Sequence, residues 1–418
     1  MNNTISHTIC IDTDKLEDIV QIEEKLMEMT RKACRKMLVE IMEKKEEKIF
    51  RTEKYTKKGK VSRYILSQFG QVTYYRYKAK GEDGKYSFPL DEALGIKSSS
   101  SFTPPVEKRA VKLATLLPYR QAGDILSYEI NSKVDHRAVW RLVQKKGLIA
   151  RDNREDEVES LYTSARSPEG DGISREIVVI EADGTGISSK EGKGKWMEAK
   201  IGIIYTGKKL ESETSRNKRY ILENKTVYAD ILDSDAFGKN ISYIAQEKYN
   251  LADAENILLI SDGDRWLKNM QIGYLPGSVH QLDHYHLKKK LKKAYQERPD
   301  LLERAFDLIN RKKQDRLLQF VKLSAGNGAI PETLADDLIT YIETNLDGIW
   351  AIDSLSGKVA KEVLVVGSGA IEKNVDINIA RRFKGRGMSW SRQGARNLMV
   401  FRIMSANNEF DNYFLNVA

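Results

Sequence analysis

The chain has 418 residues, enough for roughly two to three domains, and 41% of them are hydrophobic, which is sufficient for sizeable cores. Its formal net charge is +9, and this excess of cations favours a polyanionic partner, either nucleic acid or an acidic membrane surface. The sequence contains no apolar run of about 18 residues and no basic segment followed by an apolar one, so we expect neither a membrane span nor a signal peptide. Cys10 and Cys34 match no metal-ligand spacing and indicate free thiols in a reducing cytoplasm.

Residues 1–100 are predicted to contain a long helix and a small antiparallel β-hairpin. Apolar residues recur at helical spacing within 14–48, and this face can pack against the rest of the domain or against a second subunit. Tyrosine, threonine and arginine alternate in the runs 61–66 and 71–77, which predicts two strands with one basic face. A loop rich in glycine, serine and proline is expected from about 81 to 105.

Residues 101–150 have the pattern of a helix-turn-helix. Asp135 is placed to cap the second helix, and Val139, Leu142 and Val143 recur on its inward side. The opposite side would read DNA in a major groove, although a basic amphipathic helix is often only a solvated face. The residues on that side are His136, Arg137, Arg141 and Lys145.

Residues 176–290, after a charged linker at 151–175, predict the first part of a mixed sheet. Antiparallel-type strands, a helix and another apolar strand follow in that order, which is typical of a ribonuclease H-like core. A basic, leucine-rich α-helical insertion is expected at 291–362, and 363–418 would complete the core. The expected fold class is therefore α+β or α/β, with the N-terminal helix, the hairpin and the helix-turn-helix preceding the core.

Three carboxylates occupy places where metal ions can be held. Asp183 and Asp262 each end a strand-like apolar run, and Glu372 follows a Gly-Ser-Gly turn at the expected start of a helix. Acids that converge from rigid elements on a pair of hard cations suit two-metal phosphoryl transfer. An Asp-Gly pair after a strand is by itself often only a turn, so the indication comes from the three acids together.

Two further acids lie beside these positions. Asp264 is a rival of Asp262 for the second place, and Asp262 is preferred because it directly ends the apolar strand. Glu181 precedes Asp183 by two residues, which places both on the same face of a strand. Glu181 is then either an accessory acid or the partner of a nearby lysine.

The histidine-rich segment 280–286 has three interpretations. It can be a zinc site, although no cysteine pair accompanies it. It can be a segment beside the active site that contacts the scissile phosphate or orients an acid, with Asp283 and His286 as the candidates. It can also be a strand-to-helix junction in which Asp283 caps the helix, and this is compatible with the second interpretation.

Five short motifs, taken in order, resemble those of bacterial insertion-sequence transposases with an Asp-Asp-Glu triad. The motifs are EADGTG at 181–186, ISDGD at 260–264, LDHYH at 282–286, GSGAIE at 367–372 and GMSW at 387–390. Within that class the chain most resembles the ISLre group, long described as an uncharacterised protein family and more distantly related to the Mutator-like transposases. The resemblance covers nearly the whole chain, and the combination of motifs is more specific than any one of them.

The resemblance implies that Asp183, Asp262 and Glu372 are the catalytic residues and bind two Mg²⁺ ions, for which Mn²⁺ can substitute. The 110 positions from Asp262 to Glu372 require the helical insertion. Asp283 and His286 match an Asp-x-x-His pattern of related families. The implied reaction is cleavage of DNA at the ends of the element, followed by attack of the freed 3′-hydroxyl on target DNA.

The implied partners are double-stranded DNA, both transposon ends and target, and further copies of the chain in a homodimer or higher oligomer. The helix at 135–146 would read the terminal inverted repeats. The expected location is the cytoplasm, at the bacterial nucleoid and without a membrane. Trp390 either stacks on an unpaired base at a cut end or belongs to the core. The expected phosphate contacts are Lys288, Arg381, Arg382, Lys384 and Arg386.

Three other functions stay open at this point. One is a catalytically silent DNA-binding protein derived from a transposase, and another is a ribonuclease H-like nuclease that hydrolyses without joining. The third is a structural or interaction protein, in which the three acids would coincide by chance.

Overall fold

The computed structural model describes residues 4–52, 54–164, 166–192, 195–213, 218–355 and 369–416. The chain has a mixed α/β fold and forms two compact units, which we describe separately. The first unit comprises residues 1–146 and 409–418, and the second comprises residues 147–408. Among the residues that the structure describes, no helix is long and apolar enough to cross a membrane.

The first unit combines helices with a small antiparallel sheet. Its elements in chain order are α1 Ile19–Phe50, β1 Tyr55–Ser67, β2 Gly70–Gly81, β3 Tyr86–Ser87, α2 Pro89–Ala93, α3 Pro104–Leu116, α4 Tyr119–Ile130, the first part of α5 His136–Thr163, and a last helix Phe410–Asn416. Strand β2 lies between β1 and β3. Both β3 and α2 fall where the sequence predicts a loop, and Pro89 occupies the first turn of α2, where its missing N–H is tolerated.

The hairpin β1–β2 buries one face and exposes the other. On the buried face, Ile65 and Tyr74 pack in one cluster with Met42 of α1 and Leu90 of α2. Strand alternation also turns two arginines inward, and both form ion pairs with the buried carboxylate of Asp91. These two arginines are Arg63 and Arg76. The predicted basic face is therefore divided, because its arginines lie inside and its lysines outside.

Helices α4 and α5 are joined by residues 131–135. Asn131 ends α4 with a φ of 49°, and the Asp135 carboxylate accepts the Arg137 N–H at 2.7 Å. The three apolar residues of α5 predicted to face inward are buried: Val139, Leu142 and Val143. Helix α5 then continues to Thr163, so residues 151–163 are helical where the sequence predicts a linker. Pairs such as Arg151 with Glu155, at 3.3 Å, support a helix in that charged stretch.

The second unit contains a mixed sheet, a hairpin and many helices. Its elements are β4 Val178–Ser188, β5 Trp196–Tyr205, β6 Gly207–Glu213, β7 Lys218–Glu223, β8 Thr226–Asp230, α6 Ser234–Tyr249, β9 Ile257–Ser261, α7 Arg265–Tyr274, β10 Val279–Leu282, α8 His284–Ala294, α9 Pro299–Asn310, α10 Gln314–Gly326, α11 Glu332–Thr344, α12 Ala370–Val375, α13 Arg381–Phe383 and α14 Arg392–Ala406. A π-helical turn, Asp376–Ala380, joins α12 to α13.

The described strands of the main sheet lie in the order β8-β5-β4-β9-β10. Strand β5 is antiparallel to β4 and β8, whereas β9 is parallel to β4 and β10 is parallel to β9. Strand β4 pairs with β9 only as far as Glu181 and continues with β5 to Ser188. Because β9 and β10 run in the same direction as β4, the residues that follow β9 and β10 lie at one edge of the sheet. The part of β4 beyond Glu181 crosses that same edge.

Two cores support this sheet. Helices α6 and α7 pack on it through a cluster that includes Ile180, Phe237, Leu259 and Met270. Helices α8 to α11 have a core of their own, rich in leucine, and they occupy the stretch between β10 and α12. The apolar run 363–366 and the first two residues of the motif at 367–372 lie outside the described residues.

Candidate active site

Asp183 lies in β4 just beyond the point where β9 stops pairing with it. The sequence predicts that this strand ends at Asp183. In the structure β4 continues, because residues 183–188 stay paired with β5. The carboxylate of Asp183 accepts the N–H of Gly184 at 2.7 Å. Burial, with a further contribution from the negative charges of Asp262 and Glu372, raises the pKa of Asp183 to about 6. Asp262 and Glu372, distant in the sequence, are therefore close enough to Asp183 to affect its pKa.

Asp262 directly follows β9 and is half-buried, whereas Asp264 is exposed at the start of α7. The Asp262 carboxylate accepts the Asp264 N–H at 2.9 Å, which fixes the turn between them. Burial raises the pKa of Asp262, and the charge of Asp264 adds to this. Because Asp262 directly follows β9 and is half-buried, its position favours it over the exposed Asp264 as the second acid.

Glu372 lies in the first turn of α12, after Gly369, whose φ of 118° suits glycine. Its Oε1 is 3.6 Å from His286 Nε2, and this contact lowers the pKa of Glu372. Its Oε2 is buried and has no hydrogen-bond partner among the described residues. One carboxylate oxygen of Glu372 is therefore available for a further ligand.

His286 lies between two acids. Its Nε2 is 3.7 Å from Asp283 and 3.6 Å from Glu372, and the contact with Glu372 is the main cause that raises the pKa of His286. Asp283 is buried and caps α8 by accepting the Tyr285 N–H at 2.9 Å. Capping and orientation of an acid, the two compatible interpretations of this segment, thus have a geometric basis. One ligand atom from each of Asp283, His286 and Glu372 lies within 4.8 Å of the others.

The other two histidines of the segment make contacts elsewhere. His280 Nε2 is 2.8 Å from the Ser261 hydroxyl, and burial lowers the pKa of His280 to about 4. His284 Nε2 is 2.5 Å from the carbonyl oxygen of Ile349. The three imidazoles do not converge on one point, and convergence is what a zinc site of three histidines requires.

Glu181 is fully buried behind the acids. Its carboxylate accepts hydrogen bonds from the Tyr205 hydroxyl at 2.6 Å and from the backbone N–H of Ile371 at 3.1 Å. Burial raises the pKa of Glu181. Lys208 of β6 lies near enough to be affected by Glu181 and Asp283. The proximity of Lys208 agrees with the expected lysine partner, and Glu181 has a structural role besides, since it joins β4 to the start of α12.

Two contacts from the helical insertion reach the turn that carries the second acid. The Tyr341 hydroxyl of α11 donates to the carbonyl oxygen of Asp262 at 2.6 Å. Gly263 has a φ of 87°, and a Cβ there would lie 2.7 Å from the Asn345 side chain. Sequence reasoning missed Tyr341 and Lys208, because a tyrosine inside a helical run and a lysine after a strand belong to no motif. Only tertiary contact identifies them.

The predicted phosphate contacts differ in accessibility. Arg381, Lys384 and Arg386 are exposed, and Lys288 is half-buried. The Lys384 ammonium donates to the Thr185 hydroxyl at 2.6 Å, which places a cation two residues beyond Asp183 along β4.

Arg382 is the exception, and its prediction as a phosphate contact is wrong. The side chain is 2% exposed, and its guanidinium lies 5.1 Å from the centre of the Trp390 ring. The π-helical turn that precedes it changes which positions of the next turn face inward, a shift that no regular helical pattern anticipates. Trp390 is half-buried and donates to the Phe383 carbonyl at 3.1 Å, which favours the core interpretation.

The predicted DNA-reading residues of the first unit lie along α5. Arg137, Arg141 and Lys145 are exposed, and His136 is half-buried. Lys145 donates a hydrogen bond to the Ser99 hydroxyl. These side chains are on the surface, as a helix that contacts DNA requires.

The residues of the second-unit site fit a hard divalent cation. Asp183, Asp262 and Glu372 offer only carboxylate oxygens, the ligands that Mg²⁺ prefers. A cation there would give the unpartnered Oε2 of Glu372 a partner. It would also stabilise the charged form of Asp183, whose pKa is raised by burial and, to a lesser extent, by the charges of Asp262 and Glu372. The neighbouring set with His286 is less suited to Mg²⁺, because it includes a ring nitrogen.

A family model described as "Uncharacterised protein family (UPF0236)" matches residues 13–410. The chain belongs to the UPF0236 family. The "UPF0236 protein in vanSb 3′region" of Streptococcus gallolyticus is 23% identical over 366 residues, covering 85% of this chain and 75% of the relative. A UPF0236 protein of Caldanaerobacter subterraneus subsp. tengcongensis is 24% identical over 409 residues, covering 93% of this chain and 78% of the relative. The name of that relative joins 11 gene designations of one organism.

One solved structure shows a weak likeness to this UPF0236 protein. It is the Drosophila P element transposase strand transfer complex, with a TM-score of 0.37 and 10% sequence identity. The match covers 77% of this chain and 95% of that chain. A likeness at this TM-score does not identify a function.

Proposed function

We propose that this protein is a DNA transposase that cleaves and joins DNA with divalent metal ions held by Asp183, Asp262 and Glu372. One observation carries the proposal: β9 is the parallel neighbour of β4, and the hydrogen bond from Ile371 to Glu181 brings the start of α12 to the same strand, so the elements that carry the three acids lie together. Such convergence from rigid elements is what two-metal phosphoryl transfer requires.

The strand arrangement supports a ribonuclease H-like core. The three antiparallel strands come first in the chain, and the two parallel strands follow after α6. Strand β4, with the first acid, is central, and β9, with the second acid at its end, is its parallel neighbour. The helical insertion then separates the second acid from the third, as the spacing in the sequence requires.

The gene names of the relative add an independent support. A protein whose name joins 11 gene designations of one organism is present there in many copies. A DNA element that moves or copies itself produces this distribution, whereas a housekeeping nuclease does not.

Within the site, the protein's own residues would have distinct tasks. When bound by the three carboxylates, divalent cations would activate the attacking oxygen and stabilise the leaving one. His286 holds one oxygen of Glu372 and leaves the other for the ligand. Lys384, beside β4, is placed to contact a phosphate oxygen of the bound strand. Helix α5 would bind the element ends through Arg137 and Arg141, and further copies of the chain would pair the two ends.

The test uses duplexes that carry the DNA flanking this protein's gene, incubated with Mg²⁺ and a target duplex. We expect cleavage at the boundary of the element followed by joining, and loss of both in Asp183→Asn, Asp262→Asn and Glu372→Gln. Asp264→Asn is the matched control, since it removes an exposed acid two residues away. Cleavage without joining would indicate a hydrolytic nuclease, and end-specific binding without cleavage would indicate a silent relative. Loss of cleavage in Asp264→Asn but not in Asp262→Asn would identify Asp264 as the second catalytic acid.

A further inference from the structure

We propose that the outer face of the β1–β2 hairpin is a second DNA-binding surface, one that lies along the groove of a duplex. By outer face we mean the exposed side of β1 and β2 that carries Lys57, Lys60, Tyr64 and Tyr75. This inference rests on the proposed function in one respect only, that DNA is the polymer this protein handles. The hairpin contains none of the candidate catalytic residues and none of the predicted DNA-reading residues of α5, so the inference gives it a role of its own.

The charge of the hairpin is the first argument. Residues 55–81 contain 5 lysines and 2 arginines, and they contain no aspartate or glutamate. Arg63 and Arg76 point inward and are neutralised in part by Asp91, whereas every lysine is exposed. A solvated surface strand usually mixes both signs. One that presents only cations is complementary to a polyanion.

The second argument is the arrangement of side chains across the two strands. Ser62 lies directly opposite Tyr75, and Tyr64 lies directly opposite Thr73, so four hydroxyl groups share the middle of the face. Tyr64 is 66% exposed and Tyr75 is 53% exposed, far more than packing alone would leave them. Hydroxyl groups both donate and accept, and they can therefore contact base edges as well as phosphates.

Lysines of β1 extend this hydroxyl-bearing centre toward the end of the hairpin away from its turn. Lys60 pairs with Tyr77 and Lys57 with Ala79, which places both on the face of Tyr75. The Lys60 ammonium is 5.8 Å from the centre of the Tyr75 ring. These cations can reach the phosphates on one wall of a groove, while the hydroxyl-bearing centre faces the floor.

The dimensions of the hairpin are the third argument. Its strands have 13 and 12 residues, about 40 Å of extended chain at about 3.3 Å per residue. A two-stranded ribbon fits the major groove of B-DNA, which is about 12 Å wide. A ribbon of this length would follow the groove for about one helical turn. This geometry favours a duplex over a single strand, which would need rings spaced along one line for successive bases to stack on.

The test measures DNA binding by the full chain in EDTA, where cleavage is not required. The probe is a fluorescent duplex of about 30 base pairs of mixed sequence, with a single strand of the same length beside it. One variant combines Lys57→Ala, Lys58→Ala and Lys60→Ala, the three exposed lysines of β1. The control combines Lys36→Ala, Lys44→Ala and Lys45→Ala, which removes the same charge from exposed positions of α1. A third variant is Tyr75→Ala, and thermal unfolding verifies that each protein is folded.

We expect the hairpin variant to lose at least about tenfold in duplex affinity and to reduce the slope of log K against log salt by about 2 to 3. The α1 control should keep its duplex affinity within about twofold. It removes the same net charge, but away from the proposed surface, and so changes only the long-range electrostatic attraction of the protein for DNA. Tyr75→Ala should weaken binding with little change in the salt slope. Equal losses in the hairpin variant and the control would overturn the inference, as would unchanged binding of the hairpin variant or failure of the wild-type chain to bind duplex.

A larger loss on the single strand than on the duplex would also overturn it, since the surface would then be a platform for unpaired bases. Outcomes for the proposed function are separate. If the chain cuts and joins DNA while the hairpin variant binds normally, the hairpin inference fails and the transposase proposal stands. If the hairpin variant loses duplex binding while the wild-type chain never cleaves DNA, the surface is real and the proposed activity fails.

Discussion

The carboxylate of Glu181 accepts the backbone N–H of Ile371 at 3.1 Å, and so it holds the first turn of α12 against β4. Asp183 lies two residues beyond Glu181, and Glu372 directly follows Ile371. The distance between these two candidate metal ligands is therefore set by a buried acid that need not touch metal or DNA itself. Tyr205 fixes the other oxygen of that acid.

Replacement of Glu181 by alanine should both destabilise the second unit and impair the site. The Tyr205 hydroxyl and the Ile371 N–H would lose their partner in a buried place, at a cost of about 1–3 kcal/mol each. Denaturant unfolding measures this loss. Glu181→Gln keeps an acceptor for Ile371 and should recover most of the stability and of the Mg²⁺ response. Equal damage by glutamine and alanine would show that the negative charge, and not the hydrogen bonding, is what the fold uses.

On the proposed function, Mg²⁺ should stabilise the protein against thermal unfolding, because the three carboxylates would bind it in the folded state only. At a concentration about 100 times its Kd, the gain is about 2.7 kcal/mol. Asp183→Asn should lose most of this gain, since it removes one ligand charge, and the exposed acid variant Asp264→Asn should keep it. A Mg²⁺ gain that survives in Asp183→Asn would place the ion elsewhere, with the set Asp283, His286 and Glu372 as the next candidate.

Tyr341→Phe should uncouple the helical insertion from the second acid. It removes the hydrogen bond to the Asp262 carbonyl, at a cost of about 1 kcal/mol, and lets the turn at 262–264 shift. On the proposed function, small displacements of a metal ligand reduce the rate, here on the order of tenfold. Tyr285→Phe, which changes an exposed hydroxyl, is the control. Wild-type cleavage rates in Tyr341→Phe would assign the insertion a packing role alone.

His280 should make stability depend on pH. Burial lowers its pKa to about 4, while its ordinary value is about 6.5, so between these values only the unfolded chain takes up the proton. Stability contributed by neutral His280 is complete above about pH 6.5 and falls as the pH drops toward 4, by at most about 1.4 kcal/mol per unit. His280→Gln keeps a partner for Ser261 and should flatten this part of the profile. Parallel profiles of the two proteins would contradict the burial of a neutral ring.

The periodic parts of this chain were predictable from sequence because the spacing of apolar residues along a helix or strand indicates which of them are buried. The inward residues of α5 and the mixed order of strands and helices follow from apolar spacing, and the structure has both. The candidate acids were identified from strand ends and a glycine turn, which are local signals. The family match and the mixed fold agree with that analysis at the level they reach.

What the sequence did not predict depends on contacts between distant residues. Arg382 looked like part of an exposed basic run, and the π-helical turn rotates it into the interior. Asp183 looked like the end of a strand, and pairing with β5 carries the strand onward. Arg63 and Arg76 point inward to form ion pairs with Asp91. Asp91 lies in α2, a helix that the sequence analysis did not predict. None of these outcomes is encoded in a window of neighbouring residues.

The position of β4 also has a consequence for how the second unit folds. Its partner β5 is its neighbour in the chain, whereas the Ile371 N–H that meets Glu181 is 190 residues away. The entropy of closing a loop must be met before distant contacts stabilise anything, so local pairs form first. We therefore expect a partly folded chain to carry Asp183 on a formed β4–β5 hairpin before its companion acids join it. The candidate metal site would be completed only when α12 docks on β4.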